Sequence, residues 1–277
     1  MRIKRIMVLT MAVLLLSWFY GGVADPARAD HSKPRYLIIA SDTLLSGMAE
    51  ALLPPNRYAI DAILPPGQCP GHYDVKLSDI EKIKKADLVI AFSGMPFVNK
   101  MGLGGRAHLF VDAGNRNWMA PDSYIYGLNR LADEISVCFP EDRNEIHQRK
   151  EAKIREVKKE ASLLQQMIRR TDIAGRPVLA SAMQKESLEW MGFRVAGVYG
   201  RPEAMSTKNV VSLLKIGKDQ QVVAVVDNLQ SGPDAGKSIA ETLKKPHIVL
   251  TNFPTEQGYL ATLKDNVNKV LAAMGRK

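Results

Sequence analysis

The 277 residues are 46% hydrophobic and 24% charged, the proportions of an ordered globular protein with one or two lobes. The formal net charge of +9 does not mark a nucleic-acid binder: residues 1–29 hold four positive residues and one negative one, which leaves +6 for the rest. The densest charged run, Glu141 to Glu160, mixes both signs without interleaved aromatics, the pattern of a solvated helix face.

In chain order, the basic start Met1-Arg2-Ile3-Lys4-Arg5 leads into an apolar run from Ile6 to Tyr20 and then Ala27-Arg28-Ala29. This is the layout of a secretory signal peptide over residues 1–29, with an uncleaved anchor as the alternative, although the run is short for a membrane span. No cysteine lies near the cleavage site, so no lipid anchor is expected there. The expected product is a soluble periplasmic protein. Export lets Cys69 and Cys138 pair. A helix starting near Pro121 would, however, carry Cys138 about 24 Å from that helix's start.

From Arg35 strands and helices alternate. "RYLIIA" reads as a buried strand, "LLSGMAEALL" as a helix and "RYAIDAIL" as a second strand, which ends in the Pro/Gly-rich loop "LPPGQCPGHYD" (64–74). Ser78-Asp79-Ile80-Glu81 has the spacing of a capping box opening a helix through Lys85. Strands "ADLVIAF" and "AHLFVD" follow, then a helix from about Asp122 to Val137. Residues 141 to 170 contain no Pro or Gly, and Ile146, Ile154, Val157, Ala161, Leu164 and Ile168 share one helical face. Strands "PVLAS", "FRVAGVY", "QVVAVVD" and "HIVLT" then alternate with four more helices.

This order predicts an α/β protein: two similar lobes with parallel sheets, joined by a long backbone helix, with a ligand cleft between them. The expected divisions are an N-terminal lobe over 30–140, the linking helix over 141–171 and a C-terminal lobe over 172–277. In such sheets ligands sit beyond the carboxyl ends of strands. The segments to inspect are therefore 64–74, 93–101, 114–121, 181–184, 227–231 and 251–257.

No catalytic motif stands in those segments: there is no G-x-S-x-G elbow, phosphate loop or H-E-x-x-H. An enzyme reading would gain ground if Asp74, Asp227 and His72 converged around a bound water. Of the five histidines, His72 is the one expected in a loop at a strand's carboxyl end. His108 and His247 fall in strands, His147 on the charged helix and His31 in the N-terminal tail.

Several segments together resemble one known family. "LPPGQCPGHYDVKLSDIEKIKKADLVIAFSG" is similar to that family's V-P-x-G-x-D-P-H-x-Y-E, S-D, A-D-L-V and G series, and "NWMAPDSY" is similar to its H-x-W-x-x-P segment. "PVLASAMQKESLEWMGFRV", "RPEAMSTKNVVSLLKIGKDQQVVAVVDNLQ" and "TNFPTEQGYLATLKDNVNKVLAAM" resemble later parts of the same series. The family is the periplasmic solute-binding proteins of zinc- and manganese-type ABC importers, and the resemblance spans nearly the whole chain after residue 29. It implies a metal in the interlobe cleft, an ABC importer permease as partner and a monomeric binding protein rather than an enzyme.

The chain departs from the family at the metal. Aligned without gaps, the first ligand histidine falls on Gly71, with His72 one position late, and the preceding aspartate falls on Cys69. The second falls on Arg116, the third on Ser181 or Ala182 beside Met183, and the acidic fourth on Asn252 or Thr251.

Three readings stay open for the cleft. In one, a transition-metal ion, zinc first and copper or manganese as alternatives, is held by Cys69, His72, Asp74 and Met183, with Met119 as a further thioether. In the second, the cleft takes a non-metal or chelated ligand through Arg116, Asn117, Ser181, Asp227 and Asn252, with Arg116 and the amides of Asn115 or Asn117 meeting an anion. In the third, the cleft is filled by side chains and the protein is structural or adhesive.

Overall fold

The computed structural model describes residues 34–114 and 116–275. The signal-peptide segment, His31 and Asn115 lie outside them. Among the described residues no helix is long and apolar enough to cross a membrane.

Short apolar runs in the first half form β1 (Tyr36–Ala40), β2 (Tyr58–Ala62), β3 (Leu88–Phe92) and β4 (His108–Val111). They make a parallel sheet in the order β2-β1-β3-β4. Every residue of β3, "LVIAF", is buried, as expected for an inner strand of a parallel sheet covered on both faces. Helices α1 (Thr43–Leu52), α2 (Leu77–Lys85) and α3 (Pro121–Cys138) connect and cover it. Asp42 caps α1, its carboxylate accepting hydrogen bonds from the amides of Leu44 (2.9 Å) and Leu45 (3.1 Å). Pro121 occupies the first turn of α3, where its missing N–H costs nothing.

The second half repeats the plan. Strands β5 (Pro177–Ser181), β6 (Arg194–Tyr199), β7 (Ala224–Asn228) and β8 (His247–Leu250) form a parallel sheet ordered β6-β5-β7-β8. Its helices are α5 (Lys185–Trp190), α6 (Thr207–Asp219), α7 (Lys237–Leu243) and α8 (Tyr259–Gly275).

Between the halves runs α4 (Arg143–Arg169), whose 27 residues make it about 40 Å long. The stripe expected on it is the one that is buried: Ile146, Ile154, Val157, Leu164 and Ile168 lie inside, and Ala161 is half-buried. It packs against α1 and α3 of the first lobe and α8 of the second. One apolar cluster, from Ile38 through Ile146 and Val157 to Val178, therefore runs continuously from lobe to lobe. Separate clusters cover the outer face of each sheet, around Ile83 and Phe97 in the first lobe and around Leu213 and Ile239 in the second.

One predicted helix start needs correcting. Helix α2 begins at Leu77, and Asp79 rather than Glu81 reaches back, accepting from the amide of Lys76 at 2.8 Å. The same carboxylate accepts from the hydroxyl of Tyr73 at 2.7 Å. That contact draws Asp79 inward and fixes the helix frame.

Candidate functional site: a cleft between the lobes

In each sheet the chain order reverses beside the first strand, and the carboxyl ends of β1 and β3 face those of the second lobe's strands across a cavity of about 770 Å³. The first lobe contributes Leu44, the Phe92–Pro96 turn, Ala113, Arg116, Asn117, Trp118 and Pro70. The second contributes Ala182 and Met183 after β5, then Lys185, Glu186 and Glu189 of α5, Arg201 after β6, and Asn252 and Phe253 after β8.

Much of this wall is fixed by contacts made outside the cavity. The indole of Trp118 donates to the carbonyl of Ala113 (3.1 Å) and meets Phe92 edge-on, with ring centroids 4.9 Å apart. Its other face lies against Gly127 of α3, where a Cβ would fall 2.4 Å from the indole. Asn117 is fully engaged across the lobes: its side-chain N–H groups donate to the Met183 carbonyl (2.6 Å) and to Ser187 Oγ (3.1 Å). Glu186 is engaged in the opposite direction, one carboxylate oxygen accepting from the Asn117 amide and the other from Ser123 Oγ. Neither the Asn117 side chain nor the Glu186 carboxylate is left for a ligand.

The remaining polar groups differ in kind. Lys185 pairs with Glu189 at 3.9 Å. Arg116 is exposed and lies over the Tyr126 ring, 4.6 Å from its centroid, with no carboxylate partner among the described residues. Arg201 crosses from the second lobe onto Gly71 of the first: a Cβ on Gly71 would lie 2.1 Å from its Nη1 and 2.9 Å from its Cζ. The guanidinium thus occupies the space that a side chain at position 71 would need. Asn252 presents a buried side-chain oxygen with no hydrogen-bond partner among the described residues.

The structure brings four of the nine predicted residues, Arg116, Asn117, Met183 and Asn252, to the cleft. The expected ligand set of Cys69, His72 and Asp74 is not assembled. Among the described residues no three or more His, Cys, Asp or Glu side chains are grouped to hold a metal. The reason is local. A turn closed by the His72 amide on the Cys69 carbonyl (3.1 Å) brings Pro70 to the cavity and leaves the polar side chains facing elsewhere. His72, 67% exposed, faces Glu203 at 3.6 Å, and Asp74, 95% exposed, faces Lys100 at 3.7 Å. Cys69 and Cys138 are both free thiols, so the alternative of a disulfide between them is not realised.

Ser181 is buried at the end of β5, away from the cleft lining. Asp227 is likewise absent from it. It is fully buried, and its carboxylate accepts from Tyr199 Oη (2.7 Å) and the Gly236 amide (2.9 Å) and lies 2.6 Å from His247 Nε2. Burial and the adjacent Asp227 push the Tyr199 phenol well up, keeping it a donor. Asp74, Asp227 and His72 therefore do not converge around a common point. Sequence reasoning missed Arg201 and Glu186. The segments after β1 and β6, which carry Leu44 and Arg201, are absent from the strand ends singled out in the sequence.

No family model matches the sequence, and no curated protein matches it. Solved structures do. A manganese-bound periplasmic metal-binding protein from Candidatus Liberibacter asiaticus superposes with a TM-score of 0.74 at 11% identity, covering 86% of this chain and 99% of that one. ZnuA gives 0.70 at 13% identity, covering 87% and 99%. The solute-binding protein FpvC of Pseudomonas aeruginosa, in complex with Ni²⁺, gives 0.70 at 14% identity, covering 87% and 97%. The chain has the fold of these metal-binding proteins, as the family resemblance implied.

Proposed function

We propose that this is an extracytoplasmic solute-binding protein that captures its cargo between two lobes and delivers it, as a monomer, to an ABC importer permease. The observation that carries this reading is the 770 Å³ cleft walled by both lobes, in a fold shared with binding proteins of that kind. Small-molecule sites span about 300–1,000 Å³. A zinc site, by contrast, needs three or four donors converging within roughly 2.0–2.3 Å.

The cargo we propose is a transition metal enclosed in an organic chelator, zinc first and copper or manganese after it. The metal is supported by what the structural neighbours bind, and the chelator by the size of the cleft and the lack of a clustered donor set among the described residues. An open cavity speaks against a purely structural or adhesive role, and its lining among the described residues holds no nucleophile–base pair of the kind catalysis uses.

The test is to purify the protein without an affinity tag, then measure metal by elemental analysis and small molecules by native mass spectrometry. The expected result is an organic ligand carrying substoichiometric to stoichiometric metal. Tight binding of bare zinc, copper(I) or manganese, lost in Cys69→Ser and His72→Ala, would instead restore the Cys/His reading.

A further inference from the structure

We infer that the cleft recognises an oxyanion, a carboxylate or phosphate on a ligand that also carries a hydrogen-bond donor, with Arg116 and Arg201 as the binding cations. This inference rests on the solute-binding reading above and specifies its ligand.

Two of the positions that align with metal-ligand histidines now present guanidinium groups. Position 116 is itself an arginine. Position 71 is a glycine, and Arg201 of the other lobe fills the space left free there. Both groups are guanidinium cations, weakly hydrated and with donors in a fixed planar fork. A bare divalent cation is repelled by such a pair, whereas planar guanidiniums match carboxylate and phosphate oxygens two at a time.

The carboxylates in the cleft offset the cations only in part, since Arg116, Arg201 and Lys185 stand against Glu186 and Glu189. Glu186 is committed to the Asn117 amide and Ser123, and Glu189 lies beside Lys185. Asn252, at the fourth aligned position, lines the cleft, and its buried side-chain oxygen has no hydrogen-bond partner among the described residues. Buried acceptors are seldom left unpaired, so the ligand is expected to bring an O–H or N–H to it. Phe92, Trp118 and Phe253 give the walls apolar surface for a carbon skeleton. A hydroxycarboxylate, free or wrapped around a metal ion, has all of these features.

The experiment is calorimetric titration of the purified protein with four probes: citrate, zinc citrate, inorganic phosphate and zinc chloride. Citrate or zinc citrate should bind, and Arg116→Ala and Arg201→Ala should each weaken binding at least tenfold. Arg201→Lys keeps the charge without the fork and should lose less, which guards against misreading an unfolded variant. Asn252→Asp is the sharper discriminator: it should weaken oxyanion binding by charge repulsion, whereas at a metal site the added carboxylate would strengthen zinc binding.

Binding of phosphate but not citrate would support the oxyanion and assign its class. Zinc chloride binding with no response to the three oxyanions would overturn this inference and leave the solute-binding function standing. No response to any probe would overturn this inference, and the solute-binding reading falls with it only if native mass spectrometry also finds no bound small molecule.

Discussion

Asp42 is fully buried, with Ser41 Oγ and the amides of Leu44 and Leu45 donating to it. Burial outweighs those bonds and raises its pKa from 3.8 to about 6. Between those values the folded protein holds a proton that the unfolded chain releases. The stability contributed by this group is therefore fully present below pH 3.8 and falls as pH rises through 6. At about 1.4 kcal/mol per pKa unit, the loss above pH 6 is about 3 kcal/mol. Asparagine caps a helix as well as aspartate does. Asp42→Asn should therefore stabilise the protein at pH 7.5 in urea unfolding, with the gain shrinking toward pH 4, and a gain independent of pH would contradict the assignment. On the cleft wall, Gly127→Ala would drive a methyl into the Trp118 indole. A loss of about 1–3 kcal/mol and a shifted tryptophan emission are expected. At this scale the sequence disclosed Arg116, Asn117, Met183 and Asn252 because all four follow strand ends. It could not disclose that Arg201 meets Gly71, since that contact exists only once the two lobes face each other.

Among the elements, α3 shows how one lobe completes the other. Its cap residue, Ala120, makes no side-chain cap bond, and Glu186 of α5 instead holds the helix start from across the cleft, accepting from the amide of Asn117 in the lead-in and from the Ser123 hydroxyl in the first turn. A carboxylate at the start of an 18-residue helix is also favoured by the helix dipole. Glu186→Ala should cost about 2–3 kcal/mol, the range for hydrogen bonds to a charged group. Amide exchange should quicken in the first turn of α3, and Glu186→Gln should cost less. Unchanged exchange there would show that the contact does not hold the helix. The alternation of elements was legible because buried parallel strands leave continuous apolar runs, and the stripe on α4 announces itself by its spacing. The start of α2 was misread because an S-x-x-E pattern describes a frame available to the local chain, while the Tyr73 hydroxyl selects another.

For the whole molecule, the lobes are tied at several points besides α4. Thr43 Oγ1 donates to the Pro254 carbonyl (2.8 Å), and Tyr124 stacks on Tyr259 with ring centroids 3.7 Å apart. Tyr259 Oη also donates to the Met119 carbonyl (3.2 Å). With a continuous core behind these ties, ligand capture should involve small tilts, so the radius of gyration from small-angle scattering should barely change on binding. A large compaction would reveal a free hinge instead. Tyr259→Ala should cost about 3 kcal/mol or more and widen the difference between free and bound forms. The meeting of Gly71 and Arg201 carries a consequence for descent. A side chain at 71 would turn the flexible end of Arg201 aside, and with it the cation that reaches across from the second lobe. Among homologues the two positions should change together, glycine travelling with arginine and a metal-binding histidine travelling with something smaller.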